Sequence, residues 1–164
     1  MNLYLMRHAI AAEADEKTDD SQRPLTEKGR EKLGKTIHNL KKLGVEIDVI
    51  LSSPYLRARQ TAGMVADGLK IRPKNLIETE NLTPYAFANQ LVDEINAREP
   101  VENLLLVGHE PFLSQLIGML VAGDASLSID MKKAGLCKLS FAQLTYGRCA
   151  TLEWLLTPTQ LTAI

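Results

Sequence analysis

Several features are scarce in this 164-residue chain, and each scarcity excludes a class of protein. The two cysteines, Cys137 and Cys149, are too few for a disulfide framework and do not have a zinc-ligand spacing. We expect both to be buried, reduced thiols. The formal net charge is -1, so the bulk electrostatics predict neither nucleic acid nor an anionic membrane as a partner. Any attraction for an anion must therefore come from a local cluster of cations.

Long hydrophobic runs are missing as well. The longest apolar stretch near the end, residues 113–122, is interrupted by small and polar residues and cannot span a bilayer. The first run, residues 3–6, is far too short for the core of a signal peptide. We therefore predict a protein that works in the cytoplasm without a membrane partner.

Short apolar runs alternate with helical periodicity, which predicts one domain over residues 1–164. Strands are expected at 3–6, 49–51, 76–77 and 104–107, and helices at 27–43, from Pro54 onwards, at 85–97 and at 111–122. Thr26 is the expected N-cap of the first helix, and Ser53 that of the second. The stretches 135–141 and 149–155 alternate around a turn and predict an antiparallel hairpin. The pattern is that of a three-layer α/β/α sandwich with a mostly parallel sheet.

Unusual residues follow three of the predicted strands. The first strand ends in Arg7 and His8, a later one ends in His109, and Arg57 lies one turn into the helix after the second strand. Each of these residues alone is usually structural or simply exposed. Because ligands collect at the carboxyl ends of parallel strands, their joint occurrence predicts one anionic pocket. The third histidine, His38, lies on a polar helix face and is expected to be solvated.

These motifs resemble the histidine phosphatase superfamily, which includes phosphoglycerate mutases and many phosphatases. The matching segments are LMRH at 5–8, SSPYLRARQT at 52–61 and VGHE at 107–110. Two further segments, RPLT at 23–26 and LTP at 82–84, are similar to the short SixA-type phosphohistidine phosphatases. The resemblance implies the α/β/α fold, a hydrolase activity, and no metal or organic cofactor.

The resemblance also implies roles for individual residues. His8 matches the nucleophile, while Arg7, Arg57 and His109 match the residues that hold the phosphoryl group. Independently, a neutral imidazole is a competent nucleophile near pH 7, and nearby arginines should keep it unprotonated. Arg23 is a further candidate for binding substrate, because its loop could fold back over the phosphate.

Two neighbours of Arg57 receive separate expectations. Arg59 should point to another helix face and pair at the surface, since residues two apart on a helix do not share a face. Thr61 shares the face of Arg57, with packing as its expected role. Ala9 stands where glycine is common in the superfamily, a change that we expect the loop to tolerate.

The proton donor is not identified by the sequence. Asn81 stands where SixA-like sequences are expected to have an acid. The candidates that remain are Glu80, Glu13, Asp19, Asp20 and solvent.

The segment between Arg57 and His109 leaves no room for an inserted cap, which predicts an open pocket. An open pocket favours phosphohistidine on a protein, such as a histidine-containing phosphotransfer domain of a signal transduction system. Two alternatives are a general phosphomonoesterase for small metabolites and a weakly catalytic module that binds phosphate. A mutase is disfavoured, because it must enclose its substrate.

Overall fold

The computed structural model describes residues 1–164 and contains one mixed sheet surrounded by helices. The strands are β1 (Asn2–Arg7), β2 (Val49–Ser52), β3 (Leu76–Glu78), β4 (Asn103–Gly108), β5 (Leu136–Ser140) and β6 (Thr151–Leu156). The helices are α1 (Glu27–Lys42), α2 (Leu56–Leu69), α3 (Ala88–Asn96), α4 (Phe112–Ala122) and α5 (Pro158–Thr162). Single 3₁₀ turns cover Asp20–Gln22, Pro73–Asn75 and Glu80–Leu82.

The six strands are arranged in the order β3-β2-β4-β1-β5-β6. The first four in that order are parallel to one another, whereas β5 pairs antiparallel with both β1 and β6. The predicted hairpin is therefore confirmed, with an irregular register between Lys138 and Leu139. Because β2, β4 and β1 are parallel neighbours, the loops that follow these three strands lie next to one another at the carboxyl ends of the strands.

Both faces of the sheet are covered, as the apolar runs along the strands require. In β1, Leu3 and Leu5 belong to one buried cluster, together with residues of α3 and α4. The alternate residues Tyr4 and Met6 belong to a second buried cluster on the opposite face, with residues of α1, α2 and α5. The predicted three-layer α/β/α sandwich is confirmed, and the short connection from β3 to β4 holds only a 3₁₀ turn and α3.

Helix boundaries agree with the sequence at α1 and differ at α2 and α3. Thr26 caps α1 as predicted, since its Oγ1 accepts a hydrogen bond from the Gly29 amide at 2.9 Å. The prediction that α2 opens at Pro54 with Ser53 as its N-cap is wrong. Tyr55 is extended, with ψ of 136°, so the helix begins only at Leu56, and Ser53 instead accepts the Tyr55 amide in a turn before the helix.

The third helix also starts later than predicted, at Ala88 rather than at residue 85, because Phe87 is extended with ψ of 125°. Both cysteines are free, but only Cys137 is buried, and burial raises the pKa of its thiol to about 12. Cys149 is half-buried, so the expectation of burial was wrong there. None of the helices is both long enough and apolar enough to cross a membrane.

The start of α1 packs directly on the loop that follows β1. A Cβ added at Gly29 would lie 2.2 Å from the carbonyl oxygen of Ile10, whereas one added at Gly34 on the same helix would meet nothing within 4 Å. We expect Gly29→Ala to lower the free energy of unfolding by about 1–3 kcal/mol, since the backbone must move apart. Gly34→Ala should raise it by about 0.5–1 kcal/mol through helix propensity. Urea unfolding of the two variants measures both changes, and equal effects would contradict this close packing.

Candidate active site

The predicted site residues converge at the carboxyl ends of three neighbouring strands. His8 follows β1, His109 follows β4, and Arg57 lies in the first turn of α2 behind β2. The two imidazole rings lie 5.2 Å apart between centroids. They border a pocket of about 280 Å³ that is lined by Arg7, His8, Ala11, Asp20, Arg23, Arg57, Pro84, His109, Glu110 and Lys133.

Size alone would not have identified this pocket. A larger cavity of about 720 Å³ lies at the amino ends of the strands, next to Met1, Val49 and Leu104. This cavity contains no histidine, and ligands of parallel sheets bind at the carboxyl ends of the strands, not at the amino ends. The smaller pocket combines two buried imidazoles with several cations, so it is the candidate active site.

His8 is held as a neutral ring with one nitrogen available for reaction. Its Nδ1 lies 2.8 Å from the carbonyl oxygen of Ala9, which can only accept, so Nδ1 donates and Nε2 carries the lone pair. Burial lowers the pKa of His8 to about 4, and the charges of Arg57 and Arg7 act in the same direction. The sequence predicted a neutral His8 because of the arginines, but loss of hydration is the larger cause.

Arg57 connects the nucleophile candidate to the acidic side of the pocket. It is 4% exposed, and its Nε donates to Nε2 of His8 at 3.3 Å. Its Nη1 donates to the carbonyl oxygen of Asp20 at 2.6 Å, and its Nη2 donates to Oδ2 of the same residue at 3.2 Å. Thr61 accepts the Ala9 amide and donates to the Arg57 carbonyl, so it joins the β1 loop to α2 rather than only filling space.

His109 has one engaged and one unengaged nitrogen. Its Nε2 lies 2.8 Å from the hydroxyl of Ser53, and the Tyr55 ring meets it edge-on at 5.1 Å between centroids. Its Nδ1 is buried without a hydrogen-bond partner among the protein atoms. Burial lowers the pKa of His109 to about 3, and His8 and Arg57 add to the effect.

Arg7 provides a second unsatisfied group at the same place. Its Nη1 donates to the carbonyl of Met131 at 3.0 Å, while its Nε is buried without a partner. Buried polar atoms without partners are rare in folded proteins, and here two of the four lie on residues that line one pocket. Together with Arg57 they suit an anion that accepts several hydrogen bonds at once.

Arg23 and the acids can now be placed. Arg23 lines the pocket, donates to the Ala12 carbonyl and forms an ion pair with Asp20 at 2.8 Å. Burial alone would raise the pKa of Asp20, but the hydrogen bond from Arg23 and the charge of Arg57 outweigh it and lower the pKa overall. Asp20 and Glu110 are the two carboxyl groups that line the pocket, whereas Glu13, Asp19 and Glu80 do not line it.

Neighbouring residues behave partly as the sequence suggested. Arg59 is exposed and pairs with Glu78 at 2.8 Å, away from the pocket, as expected. Asn81 donates to Glu94 at 2.8 Å and is not among the lining residues. The sequence reasoning missed Lys133, which no local motif marks, and Glu110, which directly follows His109. No group of three or more His, Cys, Asp or Glu side chains is arranged to hold a metal ion.

Comparisons with known proteins identify the family of the chain. Residues 3–87 match the model of the histidine phosphatase superfamily (branch 1). The phosphohistidine phosphatase SixA of Escherichia coli is 33% identical over 126 residues, which are 76% of this chain and 76% of that protein. An uncharacterized protein of Picosynechococcus sp. is 34% identical over 141 residues, 85% of this chain and 84% of that protein.

The fold comparison leads to the same family. The structure of the protein histidine phosphatase SixA complexed with tungstate superposes with a TM-score of 0.83 and 29% identity, covering 98% of this chain and 99% of that one. The chain therefore belongs to the histidine phosphatase superfamily and is a phosphatase with a SixA-like sequence and fold.

Proposed function

We propose that this single-domain phosphatase removes the phosphoryl group from phosphohistidine on a phosphotransfer protein, through a covalent phosphohistidine on His8. The observation that carries the proposal is the neutral, buried His8, whose Nε2 accepts a hydrogen bond from Arg57 at a pocket that Arg7 and His109 also line, each with a buried nitrogen that has no partner. A nucleophile next to donors without partners is what transfer of an anionic group requires.

In the first step Nε2 of His8 attacks phosphorus, and the bond from phosphorus to the leaving nitrogen of the substrate breaks. Nδ1 of His8 keeps its proton and its hydrogen bond to the Ala9 carbonyl, which stabilises the cationic phosphoimidazole. The lone pair that Arg57 Nε contacted is now part of the new bond, so this N–H is free to donate to a phosphoryl oxygen. Arg7 and His109 bind the remaining oxygens.

In the second step water attacks the phosphorus of the intermediate, inorganic phosphate leaves, and His8 recovers its lone pair. The departing substrate imidazole takes up one proton during the first step. Asp20 does not supply it near neutral pH, because its lowered pKa keeps the carboxylate ionised between Arg57 and Arg23. We assign this proton to water, which an open pocket admits.

The rim of the pocket supports a protein substrate over a small metabolite. Tyr85 is 83% exposed and Phe87 is 65% exposed, and both lie close in sequence to Pro84, which lines the pocket. Lys133 and Arg7, which line the pocket, also line a neighbouring basic cavity that includes Lys132. Exposed aromatic side chains beside a small pocket are typical of surfaces that bind a protein.

The relatives support the same substrate class. The Escherichia coli relative is named a phosphohistidine phosphatase, and the SixA structure holds tungstate, a tetrahedral oxyanion like phosphate. Signal transduction in the cytoplasm is part of the proposal, and the free thiols of Cys137 and Cys149 suit a reducing compartment. Sugar phosphates are the second substrate class to test, because the pocket is large enough for a phosphoryl group with a small alcohol.

Removal of the nucleophile tests the covalent intermediate. We expect His8→Ala to lower kcat for a phosphorylated histidine-containing phosphotransfer domain by at least about a thousandfold, since the attacking atom is removed. Brief incubation with labelled substrate should give an acid-labile label on the unaltered protein and none on the variant. His38→Ala, which changes an exposed histidine on α1, should keep full activity. The absence of both the label and the release of phosphate would instead indicate a binding module.

The exposed aromatics Tyr85 and Phe87 can distinguish a protein substrate from a small one. We expect Tyr85→Ala combined with Phe87→Ala to raise KM for the phosphorylated domain by at least about thirtyfold, because interface aromatics contribute about 1–2 kcal/mol each. KM for p-nitrophenyl phosphate should change less than twofold. Tyr146→Ala is the matched control, since this tyrosine is also exposed but, unlike Tyr85 and Phe87, has no pocket-lining residue close to it in sequence. Equal losses with both substrates, or faster turnover of sugar phosphates, would contradict the assignment.

The two buried histidines have low pKa values, about 4 for His8 and about 3 for His109, and these make the stability of the protein depend on pH. Histidine in the unfolded chain has a pKa of about 6.5, so folding favours the neutral rings. The contribution of the neutral rings to the free energy of unfolding is fully present above pH 6.5 and is lost as the pH falls towards 4. We expect about 1 kcal/mol per ring to be lost between pH 7 and pH 5.5. Between pH 7 and pH 5.5, the free energy of unfolding measured with urea should fall less in His8→Asn than in His38→Asn. An equal fall in the two variants would mean that His8 is not held neutral.

A further inference from the structure

We propose that Ser53 is a positioning residue that sets the tautomer of His109, so that Nδ1 carries the proton and acts as a hydrogen-bond donor to the substrate. This rests on the proposed function, since it concerns what His109 offers to a phosphoryl oxygen. Ser53 directly follows β2 and is 0% exposed, and its hydroxyl lies 2.8 Å from Nε2 of His109.

The hydrogen bonds around Ser53 decide which atom donates. A serine hydroxyl has one hydrogen and two lone pairs. The amide of Tyr55 donates to Oγ at 3.2 Å and occupies one lone pair. If Nε2 of His109 carried the proton, it would occupy the second, and the hydroxyl hydrogen would be buried without an acceptor. If the hydroxyl instead donates to Nε2, the hydrogen is satisfied, which is the arrangement that buried groups adopt.

This choice leaves the single proton of the neutral ring on Nδ1. The low pKa of His109, about 3 because of burial, means that the ring holds only one proton near pH 7. Nδ1 is the other polar atom of the ring, and it is buried without a partner. Phosphoryl oxygens only accept hydrogen bonds. A protonated Nδ1 therefore binds one of them, whereas a bare Nδ1 would place its lone pair against the oxygen and repel it.

The neighbouring serine offers a matched control. Ser52 is 1% exposed and is also buried at the end of β2, but its hydroxyl donates to the carbonyl of Ser53 at 2.9 Å and does not touch His109. The substitutions Ser52→Ala and Ser53→Ala therefore remove the same atom from adjacent buried positions. Only the second removes the partner of Nε2.

The tautomer can be measured in the unliganded protein by nitrogen NMR of a histidine-labelled sample, which contains only three histidines. At pH 7 we expect His109 to be protonated at Nδ1 and bare at Nε2 in the unaltered chain and in Ser52→Ala. In Ser53→Ala we expect part of the population to move its proton to Nε2. A proton on Nε2 in the unaltered chain overturns the proposal, and so does an unchanged tautomer in Ser53→Ala.

Kinetics test whether the tautomer matters for the reaction. With a histidine-containing phosphotransfer domain phosphorylated by phosphoramidate, we expect kcat/KM of Ser53→Ala to be lower than that of Ser52→Ala by about tenfold, the order of effect of one hydrogen bond to a charged group. A difference of less than twofold would overturn the positioning role. If the unaltered protein releases no phosphate, the proposed function fails, while the NMR measurement still decides which nitrogen carries the proton.

Discussion

The burial of two uncharged imidazoles beside guanidinium groups is the constraint on which the site depends. A protonated His8 or His109 would be a further cation in a poorly hydrated place, so both rings remain neutral far below their ordinary pKa. Neutrality gives His8 its lone pair. It also makes the position of the one remaining proton on each ring important, because that proton determines whether a ring attacks, donates or repels.

Each ring is oriented by a different kind of partner. His8 donates to a backbone carbonyl, which can only accept, and this leaves the lone pair on Nε2, where Arg57 donates to it. His109 meets the hydroxyl of Ser53, which can donate or accept, so its state depends on what else the hydroxyl contacts. The Tyr55 amide donates to that hydroxyl in the turn that precedes α2.

Charge in the pocket is balanced before substrate arrives. Arg57 and Arg23 both pair with Asp20, so the cations that suit a phosphoryl group are already partly neutralised. An incoming phosphoryl group is an anion near the same arginines, and it competes with Asp20 for their donors. The unpartnered nitrogens of Arg7 and His109 take no part in the pairing with Asp20 and remain available to the phosphoryl group.

Local signals in the sequence determined much of the fold and most of the candidate site. Apolar runs and helix periodicity depend on neighbouring residues, so they located the strands, the N-cap Thr26 and the late hairpin. The motifs around His8, Arg57 and His109 mark strand ends, and parallel strands bring such ends together. The tertiary structure decided what depends on contacts between distant segments: the pairing of Asp20 with Arg57, the approach of Lys133, and the link from Ser53 to His109 across 56 positions. Burial was decided there too, because the hydration that each imidazole loses depends on the layers packed around it.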